Sequence, residues 1–183
     1  MGSPFKESDT KNPINFYGLT KNHGEEKIIN IAEKYYIFRI SWVYGIYGNN
    51  FPKTIIDLTK KKSQIDVVND QIGAPTPTLF IVNTVQKILQ EYEMHSTSFG
   101  IYNCTPSGEC TWHDIASTIL EKFKNEKNCI CKKINPVSSN NFKTIAKRPK
   151  YSLLNSESVI TTFDIDIKKW DFYFDNFLDN LSY

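Results

Sequence analysis

A helix followed at once by a strand is encoded in NPINFYGLTKNHGEEKIINIAEKYYIFRISWVYG, residues 12–45 of this 183-residue chain. Asn15 is placed to cap a helix that runs to about Ala32, because its side chain can accept from a backbone N–H of the first turn. The next segment, Tyr35 to Ile40, is aromatic and β-branched and ends in a glycine-containing loop over residues 41–49, which is typical of a buried strand. The stretch therefore predicts one helix–strand unit.

The same alternation continues down the chain. A second helix begins near Asn50 with Pro52 in its first turn, and a capping-box pattern at Thr111 and Asp114 predicts another from Trp112 to Phe123. We also expect helices over residues 79–92 and from about residue 168, strands over residues 65–68, 99–103 and 129–134, and loops over residues 69–78 and 135–150. Strands that alternate with helices indicate an α/β chain.

Composition narrows the classes of partner. The chain has 22 basic and 20 acidic residues and a formal net charge of +2, so it lacks the concentrated basic surface of a nucleic-acid binder, and we expect no nucleic-acid partner. No stretch approaches the roughly 20 consecutive apolar residues of a membrane span. Residues 1–10 are polar rather than a signal sequence. We therefore expect a cytoplasmic protein with no membrane partner.

Cysteine spacing gives no support for a metal site. Five residues separate Cys104 from Cys110 and one separates Cys129 from Cys131, whereas zinc ligand pairs usually have two to four residues between them. A zinc site that adds His113 is therefore disfavoured. We expect free thiols, as is usual in a reducing compartment, and no metal.

One pair of residues has the spacing for acid–base chemistry. Tyr17 and Lys21 stand four residues apart, so their side chains lie on one face of the first helix. An ammonium group one helical turn from a phenol stabilises the phenolate, which makes the phenol usable as an acid or base. The spacing alone is weak, because the tyrosine and lysine content of this chain predicts one such pair by chance.

Five blocks of sequence put this pair in context. They are NPINFYGLTKNHGE (12–25), RISWVYGIYGNNF (39–51), VVNDQIGAPTPT (67–78), GIYNCTPSGECTWHDIA (100–116) and AKRPKYSLLN (146–155). In this order and spacing they resemble the C-terminal part of the dTDP-4-dehydrorhamnose reductases, which belong to the extended short-chain dehydrogenase/reductase superfamily. The resemblance extends over nearly the whole chain.

The resemblance implies roles for individual residues. Tyr17 would be the catalytic acid that protonates the C4 oxygen of a 4-keto sugar, and Lys21 would support it and hold the cofactor ribose. Trp42 would form an aromatic wall beside the nucleotide sugar, with a core tryptophan as the alternative. Asn50 and Arg148 would contact the diphosphate, with a plain helix cap and a surface charge as their alternatives.

The resemblance also implies an architecture. Residues 1–70 would be the remainder of a Rossmann-type domain with the Tyr-x-x-x-Lys helix, and residues 71–183 mainly a smaller α/β substrate-binding subdomain with return elements. NADPH or NADH would supply the hydride, but the chain contains no G-x-G-x-x-G arrangement for a dinucleotide. We therefore expect a chain that lacks the cofactor-binding half, is inactive alone, and is either a remnant or the partner of a complementary N-terminal chain or of a second copy.

Two other functions stay open. The chain could be a non-catalytic binding subunit similar to the regulatory subunit of methionine adenosyltransferase, although such a subunit has no need of Tyr17, Lys21 and Trp42. It could also be a nucleotide-sugar epimerase or dehydratase, which shares the Tyr-x-x-x-Lys spacing but fits the SWVYG and NDQIGAPT blocks less well.

Overall fold

Helices and strands alternate through residues 2–95, 97–141 and 146–181, which are the part of the chain that the computed structural model describes. The helices are α1 (Phe16–Ile31), α2 (Phe51–Thr59), α3 (Thr78–Gln90), α4 (Tyr92–His95), α5 (Trp112–Phe123), α6 (Glu157–Phe163) and α7 (Trp170–Asp179). The strands are β1 (Tyr36–Arg39), β2 (Val43–Tyr44), β3 (Gln64–Val68), β4 (Ile72–Gly73), β5 (Thr76–Pro77), β6 (Gly100–Asn103), β7 (Cys110–Thr111) and β8 (Lys133–Val137).

The strand pairings confirm the α/β class. β1 pairs with β6, β2 with β5 and β3 with β8, all in parallel, while β4 pairs with β7 in antiparallel orientation. Each parallel pair is joined through segments that contain helices, as parallel strands require. In the β1–β6 pair, Arg39 lies opposite Asn103, so the carboxyl ends of both strands meet at one edge.

Two apolar cores stabilise the fold. The larger packs α2, α5 and α7 against β3 and β8, and its most buried members are Tyr44, Ile55, Ile115, Ala116, Ile119, Cys131, Phe174 and Leu178. The smaller lies between α3, α6 and β6, and contains Ile88, Tyr102, Val159, Phe163 and Ile165. Both cores draw residues from distant parts of the sequence.

The helix caps lie where the sequence predicts them. Asn15 caps α1 and Asn50 caps α2. At α5, Thr111 and Asp114 form a complete capping box, in which each side chain bonds the backbone N–H of the other. A cap is a local signal, and for this reason the starts of these three helices agree with the prediction.

Three strand and loop predictions are wrong in detail. The strand expected at residues 129–134 is β8, which starts only at Lys133, because the N–H groups of Ile130 and Cys131 donate to Thr59 O and tie that segment to the end of α2. The loop expected at residues 135–150 therefore begins inside β8, and its residues 142–145 lie outside the described part. β1 is half-buried rather than buried, since it pairs only with β6 among the described residues. Helix α6 has no counterpart in the sequence prediction.

Within the described residues, no helix combines the length and the apolar character needed to cross a membrane.

Candidate active site

The Tyr17–Lys21 pair lies on an exposed face of α1. Lys21 Nζ is 5.2 Å from the centroid of the Tyr17 ring, so the predicted proximity is present. Tyr17 is 69% exposed and is therefore accessible to a ligand. The contact is one of cation and aromatic ring, and the catalytic role of the pair stays a prediction.

Polar contacts, rather than apolar packing, hold α1 in place, because none of its 16 residues is buried. Glu25, two turns beyond Tyr17, accepts two hydrogen bonds from Arg39, from Nε at 2.9 Å and from Nη2 at 2.8 Å. Lys11 Nζ adds a contact of 2.8 Å to the same carboxylate. Burial alone would raise the pKa of the Glu25 carboxyl, but the hydrogen bonds from Arg39 and Lys11 outweigh it and hold this pKa below its ordinary value.

The loop that carries Arg148 lies beside the start of α1. Asn15 Nδ2 donates to Lys147 O at 2.9 Å, which joins the cap of the Tyr17 helix to the residue before Arg148. Arg148 is exposed and makes no hydrogen bond or ion pair with another described residue. The structure thus brings Arg148 to the same end of α1 as Tyr17, and leaves its guanidinium available for an anion.

Trp42 is a partly buried residue at the edge of the larger core. Its φ of 46° is one of two positive values at non-glycine residues among those described, and such values are uncommon outside functional or strained sites. Its indole stacks on that of Trp112, with ring centroids 3.7 Å apart and an interplanar angle of 11°. The ring packs against the larger core and is partly exposed, and its contact with a nucleotide sugar stays a prediction.

Asn50 uses both ends of its amide within the protein. Its Oδ1 accepts from Lys53 N at 3.2 Å and its Nδ2 donates to Gly45 O at 2.7 Å. The side chain acts as a helix cap, so a phosphate at this position would have to bind the remaining N–H groups at the start of α2.

The cysteines lie in the interior as free thiols. Burial raises the pKa of Cys104 to about 11, although a hydrogen bond involving Thr84 lowers it in part. Burial, with the nearby carboxylates Asp114, Asp171 and Glu109, raises the pKa of Cys110 as well. Among the described residues, no group of three or more histidine, cysteine, aspartate or glutamate side chains could hold a metal ion.

Comparison with known proteins identifies the family. The sequence profile of the RmlD substrate binding domain matches residues 1–183. The chain belongs to this family. The dTDP-4-dehydrorhamnose reductase of Salmonella typhimurium is 33% identical over 169 residues, which are 92% of this chain and 56% of that protein.

Two solved structures resemble this RmlD substrate binding domain closely. A dTDP-4-dehydrorhamnose reductase from Clostridium acetobutylicum is 36% identical with a TM-score of 0.86, over 98% of this chain and 60% of the other. A Bacillus anthracis dTDP-4-dehydrorhamnose reductase, solved in complex with NADP, is 32% identical with a TM-score of 0.81, over 97% and 60%. The chain therefore spans a little more than half the length of these relatives.

Sequence reasoning missed two features of this RmlD substrate binding domain. The first is the Arg39–Glu25 pair, although Glu25 continues the i, i+4 series of Tyr17 and Lys21 and could have been recognised as a third member. The second is the contact of Trp112, which lies within residues 100–116 and directly follows the predicted helix cap Thr111. Neither contact could be read from local sequence, since one joins residues 14 positions apart and the other joins residues 70 positions apart.

Proposed function

We propose that this chain is the substrate-binding part of an NAD(P)H-dependent reductase that converts dTDP-4-dehydro-L-rhamnose to dTDP-L-rhamnose. The observation that carries the proposal is the exposed Tyr17–Lys21 pair on a helix whose cap contacts the Arg148 loop. Membership of the RmlD substrate binding domain family supports it, as does the likeness to a reductase solved with NADP.

Each candidate site residue has a separate role in the proposed reaction. Tyr17 Oη donates a proton to the C4 oxygen of the sugar, and Lys21 stabilises the tyrosinate that remains. Arg148 binds the diphosphate through its planar guanidinium, and Trp42 presents an aromatic surface to the nucleotide sugar. A nicotinamide, when bound, supplies the hydride that reduces C4. Tyr17 and Lys21 fit such a cofactor, because both are exposed on one face of α1 and are not engaged in the cores.

The partner of this chain is a complementary cofactor-binding segment. α1 buries no residue, and β1 has a free edge among the described residues. Large apolar side chains in and beside α1 are exposed: Ile14, Phe16, Leu19, Ile28, Ile29 and Ile31. An exposed apolar surface of this extent is typical of a protein interface. The Salmonella typhimurium relative, of which this chain covers only 56%, supports a segment that covers it.

The thiols support a proposal about the compartment. All four cysteines are free, as is usual in a reducing environment, and we propose a cytoplasmic location on this ground.

A binding measurement and an activity measurement test the proposal together. We expect isothermal titration calorimetry of the purified chain to show binding of dTDP-L-rhamnose, and Arg148→Ala to weaken it by about tenfold, since a charge-assisted hydrogen bond contributes about 1.5 kcal/mol or more. Lys132→Ala, which removes an exposed cation elsewhere in the chain, is the control. A chain that does not bind thymidine nucleotide sugars would contradict the assignment.

For activity, the chain is mixed with a separately produced cofactor-binding half of the Clostridium acetobutylicum relative. We expect oxidation of NADPH only when both parts and dTDP-4-dehydro-L-rhamnose are present, and loss of most of this activity in Tyr17→Phe, which lacks the proton donor. Turnover of a 4-keto sugar nucleotide without reduced cofactor would instead favour an epimerase or dehydratase. Binding without turnover in any mixture would favour a non-catalytic subunit.

A further inference from the structure

The indole rings of Trp42 and Trp112 form a stacked pair at the boundary between the larger core and the surface. The centroid distance of 3.7 Å and the angle of 11° describe nearly full overlap of two parallel rings. Both residues are partly buried.

The position of Trp42 is set by its backbone and by its neighbours. Its backbone adopts a left-handed conformation, and Thr76 N donates to Trp42 O at 3.1 Å. A Cβ atom added at Gly73 would lie 2.6 Å from Cε2 of the Trp42 ring, so the absence of a side chain at Gly73 makes room for the indole. The ring therefore rests against the backbone of β4.

Trp112 is held more firmly than Trp42. Its Nε1 donates to Gln71 Oε1 at 3.1 Å, and the ring of Phe51 meets it edge-on at 4.7 Å. The capping box of Thr111 and Asp114 fixes the first turn of α5, where Trp112 is the first residue. Trp112 is thus a fixed support on which the Trp42 ring lies.

Strand β4 links this stacked pair to the segment that follows Arg148. Ile72 N donates to Lys150 O at 2.8 Å, and Ser152 N donates to Ile72 O at 2.9 Å. Since Gly73 is the next residue of β4, the same two-residue strand that supports Trp42 also anchors the end of the Arg148 loop. The Trp42 ring and the end of the Arg148 loop are thus connected through one strand.

We propose that Trp112 is a positioning residue of the nucleotide-sugar site, which fixes the ring of Trp42 by stacking so that Trp42 can contact the substrate. This inference rests on the proposed function. Trp112 itself need not touch the ligand. Gln71 holds the Trp112 ring through a hydrogen bond, and Gly73 leaves room for the Trp42 ring.

The test combines ligand affinity with a spectroscopic signature of the stack. Two stacked indoles at this distance couple their electronic transitions, and the coupling gives an exciton couplet in the circular dichroism spectrum when the two transition moments are rotated relative to each other. We expect Trp112→Leu to abolish the couplet and to weaken dTDP-L-rhamnose binding, measured by calorimetry, by about three- to tenfold, in line with the contribution of an aromatic pair. The third tryptophan gives the matched control: Trp170→Phe should change neither readout, because Trp170 packs on Phe174 in the core instead.

A double-mutant cycle separates positioning from general stabilisation. In a Trp42→Ala background, Trp112→Leu should cause no further loss of affinity, because the ring that it positions is gone. Gly73→Ala, whose added Cβ would meet Cε2 of Trp42 at 2.6 Å and Oγ of Ser152 at 2.8 Å, should displace the Trp42 ring and weaken binding to a similar degree. It gives an independent result if Trp112→Leu does not fold.

The outcomes distinguish the two proposals. A wild-type chain that does not bind dTDP-L-rhamnose contradicts the proposed function, and this inference with it. Tight wild-type binding that survives loss of the couplet overturns this inference alone and leaves the proposed function standing. Equal losses from Trp112→Leu with and without Trp42 would also overturn it, since Trp112 would then act independently of Trp42.

Discussion

Removal of Arg39 gives the sharpest test of how the Tyr17–Lys21 helix is held. Arg39→Met keeps most of the aliphatic stem but deletes both hydrogen bonds to Glu25, at 2.8 and 2.9 Å. The side chains of Arg39 and Glu25 are only 18% and 16% exposed, so the remaining carboxylate is poorly solvated. A buried charge that loses its partner costs about 3–5 kcal/mol.

Two features reduce that cost here. Lys11 Nζ stays 2.8 Å from the Glu25 carboxylate and supplies a second counter-charge, and residual exposure permits some hydration. We therefore expect Arg39→Met to lower the free energy of unfolding by about 2–3 kcal/mol. Lys11→Met should cost about 1 kcal/mol or less, because this ammonium is more exposed and its ion pair is a weaker, surface type.

The assay is urea denaturation at a series of pH values, with hydrogen exchange of the α1 amides as the local readout. The folded-state pKa of Glu25 is lowered from its ordinary value of 4.5, so the pair stabilises the fold above that pH, and the contribution is lost as pH falls through the lowered pKa. The difference in the free energy of unfolding between wild type and Arg39→Met should therefore be largest near neutral pH and should decrease in acid. A cost below about 0.5 kcal/mol, typical of a neutral surface substitution, or one that does not change with pH, would refute the reasoning.

Three other predictions concern the interior and the caps. Asn50→Ala removes the cap of α2 and the bond to Gly45 O, and should cost about 1–2 kcal/mol in urea denaturation, while Asn50→Ser keeps a capping oxygen without placing a charge beside Gly45 O and should cost less. Phe163→Ala empties the centre of the smaller core, where this ring is fully buried and packs on Tyr102; we expect a loss of about 3–5 kcal/mol, with a lower melting temperature in calorimetry. Cys104, with its pKa raised to about 11, should resist alkylation at pH 8 and react only in denaturant, so rapid labelling of the native chain would contradict the burial described.

Local signals in the sequence predicted the helix starts and the Tyr17–Lys21 pair. An N-cap such as Asn15 acts within one helical turn, and i, i+4 spacing fixes which side chains share a face, so neither depends on the rest of the fold. These parts of the structure needed no knowledge of tertiary contacts.

The remaining features depend on contacts between distant residues. β8 is defined by its pairing with β3, from Gln64 opposite Lys133 to Val68 opposite Val137, and the apolar alternation that predicted a strand at residues 129–134 arises instead from the buried cysteines that precede it. α6 has only seven residues, which is too short for a periodic pattern to show. The expected division at residue 70 stays a prediction, as do the ligand contacts of Trp42, Asn50 and Arg148.

The composition of the larger core has a consequence for synthesis of the chain. Tyr44, near the start of the sequence, packs edge-on against Phe174 and Phe177 of α7, at centroid distances of 5.5 and 4.9 Å. A nascent chain therefore cannot complete this core until α7 has left the ribosome. Until then, its earlier apolar segments stay exposed to water or bound to chaperones. Premature termination within α7 should therefore give an aggregating product rather than a smaller stable domain.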